Sequence, residues 1–151
     1  MKHCSFITQL ISILVLVSTC GHQNTTITKN DIKIIHLKDH PILVDHEKAI
    51  VVEQKGKRID QIKGYTDTGV SCDAYLFEEK TQFIVIECNG TIYSINKTGG
   101  KIKNEEWSWM NPLPKNYVGT FIHQRGSNEY TLIHKPPQSL EEVYQVKDPN
   151  D

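Results

Sequence analysis

Between residues 35 and 47 the chain reads IHLKDHPILVDHE, which gathers His36, Asp39, His40, Asp45, His46 and Glu47 into one short stretch. Imidazoles and carboxylates are ordinary ligands of zinc and ordinary proton carriers. His36 and His40 stand four apart, a spacing that aligns two rings on a helix and also keeps them on one face of a strand. Residues 32–37 alternate like a strand and Pro41 follows His40, so the strand arrangement is the expected one. A structural zinc site usually takes four N or S ligands at recognisable spacing, and no H-E-x-x-H is present. The histidines therefore read as solvated loop residues, with His36, His40 and His46 as the alternative metal set, and no cofactor is expected.

Other chemistry has little to stand on. No G-x-S-x-G elbow, P-loop or dinucleotide fingerprint occurs, and no residue stands out as a nucleophile or base. The formal net charge of −1 gives no global basic field for nucleic acid. The segment NEEWSWMNPLPKNY is the expected partner surface. Trp107 and Trp109 face the same way if the chain is extended there, and Met110 and Tyr117 continue an apolar, stiff stretch. Large rigid side chains with a low ordering cost make good anchors. The competing reading is that both indoles plug one end of a sheet core.

Residues 1–19 combine a lysine near the start with a short, mostly apolar run, the build of a secretory signal. That run is too short and too interrupted for a permanent span. It ends in Val17-Ser18-Thr19-Cys20, which resembles the lipobox of bacterial lipoproteins: an aliphatic residue, two small residues, then cysteine. The resemblance covers the leader alone. It implies that the Cys20 thiol receives a diacylglyceryl group, that cleavage frees its amine, and that the amine is acylated too. Gly21 after the cysteine resembles lipoproteins passed to the outer membrane. Residues 20–31 then read as the lipidated cysteine and a flexible tether. The sequons at Asn24, Asn89 and Asn96 would matter instead in a plainly secreted, glycosylated protein.

Beyond the tether, about 130 residues remain, enough for one core. Short β-type runs at 32–37, 49–53, 117–122 and 130–133 are separated by turn signals, among them Gln54-Lys55-Gly56-Lys57 and Arg125-Gly126-Ser127-Asn128. The strongest stretch is CDAYLFEEKTQFIVIECNGTIYSINKTGG. Asn89-Gly90 suits a two-residue type I′ hairpin, which sets Ile86 opposite Tyr93 and Ile84 opposite Ile95. A second hairpin centred on Lys80 sets Leu76 opposite Ile84, Ala74 opposite Ile86, and Cys72 opposite Cys88. Cross-strand positions lie within bridging distance, so a Cys72–Cys88 disulfide is expected in an oxidising compartment. GTIYSINKTGGKI resembles one unit of a β-propeller blade, but no second copy recurs, and a hairpin with a Gly-Gly turn is the simpler reading. Ser139-Leu140-Glu141-Glu142 opens a short C-terminal helix, and residues 147–151 form a polar tail.

The expected protein is mainly β: one small antiparallel meander, sandwich or barrel-like domain over residues 32–146. It is expected in the cell envelope, held by lipid on Cys20, on the outer membrane facing the periplasm, with secretion as the alternative. Its expected role is non-catalytic binding of a protein partner, as an adaptor, inhibitor or toxin-immunity type protein. The rivals are a small envelope hydrolase or metal-binding protein using the histidines, and a structural subunit of an envelope complex.

Overall fold

The computed structural model describes residues 25–39, 46–66, 73–105 and 112–138. Among the described residues, nine antiparallel strands form two sheets. The smaller has the order β1-β2-β3, from Ile32–Asp39, His46–Gln54 and Lys57–Lys63. The larger has the order β7-β6-β5-β4-β8-β9. Its strands are β4 (Ala74–Glu78), β5 (Gln82–Glu87), β6 (Ile92–Asn96), β7 (Ile102–Glu105), β8 (Tyr117–His123) and β9 (Tyr130–Ile133). The mainly-β expectation holds; the short helix expected after Ser139 lies outside the described residues.

The sheets face each other and meet at both edges. On one side, β1 touches β9 through an Ile35–Glu129 bridge and a 2.8 Å bond from the His36 N–H to the Asn128 carbonyl. On the other, the Asp60 carboxylate of β3 accepts the Ile102 N–H of β7 at 3.1 Å. The result is a flattened barrel, and it leaves little open sheet edge to recruit another chain. Ile32, Ile34, Ile50 and Val52 from one sheet pack inside against Leu76, Phe83, Val85, Tyr93, Ile95 and Phe121 from the other.

The turns explain why some pairings differ from expectation. Lys55 and Gly56 have φ of 51° and 73°, the two positive values that a two-residue type I′ turn demands, and Gln54 pairs with Lys57 as expected. At Asn89-Gly90 only the glycine, with φ of 82°, is left-handed. Its N–H donates to the Glu87 carbonyl at 2.8 Å, and the Glu87 N–H donates to Thr91 at 2.9 Å, so the loop holds three residues rather than two. Ile86 therefore pairs with Ile92, and Ile84 with Ser94. The preceding hairpin turns on Lys80 and Thr81, which pairs Leu76 with Val85 and Ala74 with Glu87. Both expected registers are thus off by one residue. The cause is a second apolar layer: Tyr75, Phe77, Ile84, Ile86 and Ile92 are buried on the outer face, where Leu113 and Tyr117 pack on them. Where both faces of a strand are apolar, alternation cannot announce the register.

The β2–β3, β4–β5 and β6–β7 turns lie at one end, the base, where the chain also joins the barrel. The expected tether behaves differently here. Thr26 bridges Thr98, the Ile27 N–H donates to Lys97 at 2.7 Å, and Gln54 Nε2 donates to the Thr26 carbonyl at 2.9 Å. Ile27 is 2% exposed and plugs the base. Gly100, at φ of +67°, makes room for it, since a Cβ there would sit 3.0 Å from both Ile27 and Val52. Thr28 then opens a single 3-10 turn, Lys29–Asp31, whose Asp31 carboxylate accepts the Thr28 N–H at 2.7 Å. Residues 25–31 are part of the domain.

Ile27→Ala is therefore expected to cost about 2–5 kcal/mol in urea unfolding, as for a core isoleucine. The exposed Lys29→Ala should stay within about 0.5 kcal/mol of the parent.

Candidate functional site

The opposite end, the crown, carries an unusual interior. Counting inward from Val52 and Ile50 on β2, the next position in phase is Lys48; from Phe83 and Val85 on β5 it is Glu87. Two strands that bury their even or odd positions thus each end on a charge pointing inside. Lys48 Nζ and Glu87 Oε1 lie 3.0 Å apart, and both side chains are 0% exposed. The approach is an ion pair without hydrogen-bond alignment, because neither atom makes a directed hydrogen bond. The other carboxylate oxygen is fixed: Glu87 Oε2 accepts the Tyr65 N–H at 2.7 Å. Gly64 lets that backbone come close, as a Cβ there would stand 3.2 Å from Glu87 Oε1. Tyr93 also hydrogen-bonds Glu87, and burial together with that carboxylate pushes its phenol above the ordinary tyrosine value.

Around the pair stand three histidines and Tyr130. His36 is paired with Lys48 across β1 and β2. An irregularity between His36 and Lys38 then shifts the register, so that Asp39 meets His46. The His36 and His46 rings stack with centroids 5.1 Å apart and planes at 6°. His123, at the end of β8, lies 4.6 Å from His36, and Tyr130 meets His36 edge-on at 5.5 Å. Lys48 Nζ sits 5.5 Å from the Tyr130 ring centroid.

The structure thus brings together His36 and His46, while His40 lies outside the described residues. They are neither solvated loop residues nor convergent ligands. Parallel rings at this spacing put their nitrogens side by side, whereas a zinc ion needs them aimed at one point about 2.0–2.1 Å away. Among the described residues no group of three His, Cys, Asp or Glu side chains is arranged to hold a metal ion. His123, Tyr130, Lys48 and Glu87 were missed in the sequence, although the phase of the apolar runs points to both charges.

The other expected site residues are placed only in part. Cys88 follows β5 in the turn and is disulfide-bonded. Cys20 and Cys72 lie outside the described residues, as do Trp107, Trp109 and Met110. Tyr117 is half-buried and packs edge-on against Phe77 at 5.9 Å and His134 at 5.5 Å. Its hydroxyl lies 2.7 Å from Thr120 Oγ1 and accepts the Lys135 N–H at 3.1 Å, which ties β8 to the segment after β9. No protein-family model, curated protein or solved structure matches the chain.

Two outcomes follow from the crown. Lys48→Met strands a buried carboxylate and should cost roughly 3–5 kcal/mol, with most of the loss recovered in Lys48→Met/Glu87→Gln, read as the coupling in a double-mutant cycle. Because the folded state holds the Tyr93 proton more tightly than the unfolded chain does, the fold binds more protons above the unfolded tyrosine value. Unfolding free energy should then fall above pH ~10, at up to about 1.4 kcal/mol per pH unit. Tyr93→Phe should flatten that slope in alkaline urea titrations.

Proposed function

We propose that the chain is an exported cell-envelope lipoprotein, acylated on Cys20, whose barrel has a non-catalytic binding role. The observation that carries this reading is the disulfide at Cys88 in a small all-β domain, because such a bond belongs to an oxidising compartment. A Cys72–Cys88 bridge is in keeping with the register, since Ala74 pairs with Glu87 and Cys72 and Cys88 therefore flank the same end of the β4–β5 hairpin in sequence. The leader ending at Cys20 supplies both the export signal and the attachment point. Against a hydrolase, the ionisable groups of the crown are engaged with one another inside the barrel, where they serve the fold. Partner binding falls to Trp107, Trp109 and Met110, on the connection between β7 and β8. An adaptor, inhibitor or immunity role follows from size and export.

Radiolabelled palmitate with membrane fractionation tests the reading. The parent protein should label and sediment with membranes. Cys20→Ser should lose both properties while keeping the fold; unchanged labelling would remove the anchor from the account.

A further inference from the structure

The two ends of the barrel differ in charge. The base is rimmed by residues 25–31, the turns at 54–57, 78–82 and 96–101, and the start of β8 at 115–117. Hydrogen bonds knit these pieces together: Lys97 N–H donates to Thr81 at 3.0 Å, Gly99 N–H to Thr25 at 2.7 Å, and Glu78 N–H to Asn116 at 2.8 Å. Within this rim stand seven lysines against three acids, and a fourth carboxylate, Asp60 of β3, reaches Lys101 at 3.7 Å. Six of the lysines are exposed: Lys29, Lys55, Lys57, Lys80, Lys101 and Lys115. The acids are already engaged. Asp31 caps Thr28, Glu78 pairs with Lys97 at 2.5 Å, and Glu79 accepts from Gln82 at 2.8 Å. The described part of the crown is more evenly balanced: Glu47 pairs with Lys63 at 2.9 Å, Asp73 with Lys135 at 3.1 Å and Glu129 with Lys33 at 3.7 Å, while Lys48 and Glu87 cancel inside. A formal net charge of −1 therefore conceals a basic face at the base.

The chain joins the domain at this basic end. From Cys20 to Thr25 there are five residues, which span at most about 17 Å even when fully extended. Ile27 is locked into the core, so no further slack is available on the domain side.

We propose that the base is a membrane-facing surface, on which the ring of exposed lysines rests against anionic lipid headgroups and turns the crown away from the bilayer. The short link rests on the acylated-Cys20 reading; the charge does not. Each lysine brought to an anionic surface strengthens binding roughly fivefold at physiological salt. Several together would orient the domain as a second contact beside the acyl chains.

The test separates the two parts. Purified full chain carrying Cys20→Ser has no acyl group and is sedimented with phosphatidylcholine vesicles, with or without about 30 mol% phosphatidylglycerol. Binding is expected to the anionic vesicles alone and to vanish near 0.5 M salt. Lys55→Gln/Lys80→Gln/Lys101→Gln should weaken it on the order of a hundredfold, whereas Lys38→Gln/Lys63→Gln/Arg125→Gln at the crown should leave it unchanged. Circular dichroism melts check that both triple variants keep the fold. Equal binding to both vesicle types, no binding, or equal loss from the crown variant would overturn the proposal. Failure of palmitate labelling alone would remove the anchor and leave a basic, membrane-binding face.

Discussion

A lysine and a glutamate with no exposed surface, set 3.0 Å apart between two sheets, constrain much of this molecule. Taking either charge out of water costs several kcal/mol, and their attraction offsets that only while both stay in place. Lys48 belongs to the three-stranded sheet and Glu87 to the six-stranded one, so the pair fixes how the sheets face each other at the crown. It also selects the register. A one-residue slip of β5 would turn Glu87 outward and leave Lys48 buried without its counter-charge. The outer apolar layer, by itself, would tolerate that slip. Hydrophobic burial favours a barrel of this composition, and the ion pair selects which barrel.

The same pair explains the company it keeps. A buried carboxylate needs its remaining lone pairs satisfied, and Tyr65 N–H and Tyr93 meet that need. A buried ammonium is eased by an aromatic face, and Tyr130 offers one. The imidazoles of His36, His46 and His123 fill the volume beyond with polar, stackable rings where the barrel opens to solvent. Read this way, His36 and His46, two of the histidines that first suggested metal chemistry, belong to the polar end of a core. At the base the solution is the reverse: an apolar plug, Ile27, closes an interior that has no charge left to satisfy.

How far the sequence discloses this depends on which signal each feature leaves. Turn residues with positive φ are legible, and Lys55-Gly56, the Gly99-Gly100 turn and the turn at Gly126 fall where they are expected. Strand existence is equally clear for the apolar runs. Strands β3 and β7 escaped, because KRIDQIK and IKNE are polar edge sequences held by neighbours rather than by their own composition. The registers escaped because β4, β5 and β6 are buried on both faces. Asn89-Gly90 misled for a local reason: the same dipeptide serves a three-residue loop when only its glycine turns left-handed. Buried charges at the ends of apolar runs look like surface residues unless their phase is followed from the core outward.

Polarity along the barrel axis ties these features to a role. The chain joins at an end that is apolar inside and lysine-rich outside, while the other end is polar inside. The two arrangements are linked through closure. Ile27 can fill the base because Gly100 and Val52 leave it room, which fixes the basic turns around the point of attachment. The ion pair and rings can fill the crown because β1 and β9 meet there through His36 and Asn128. A domain so closed presents its ends and its connections, not open strand edges, to other molecules. The membrane-facing role proposed for the base accordingly draws on charge and not on strand pairing.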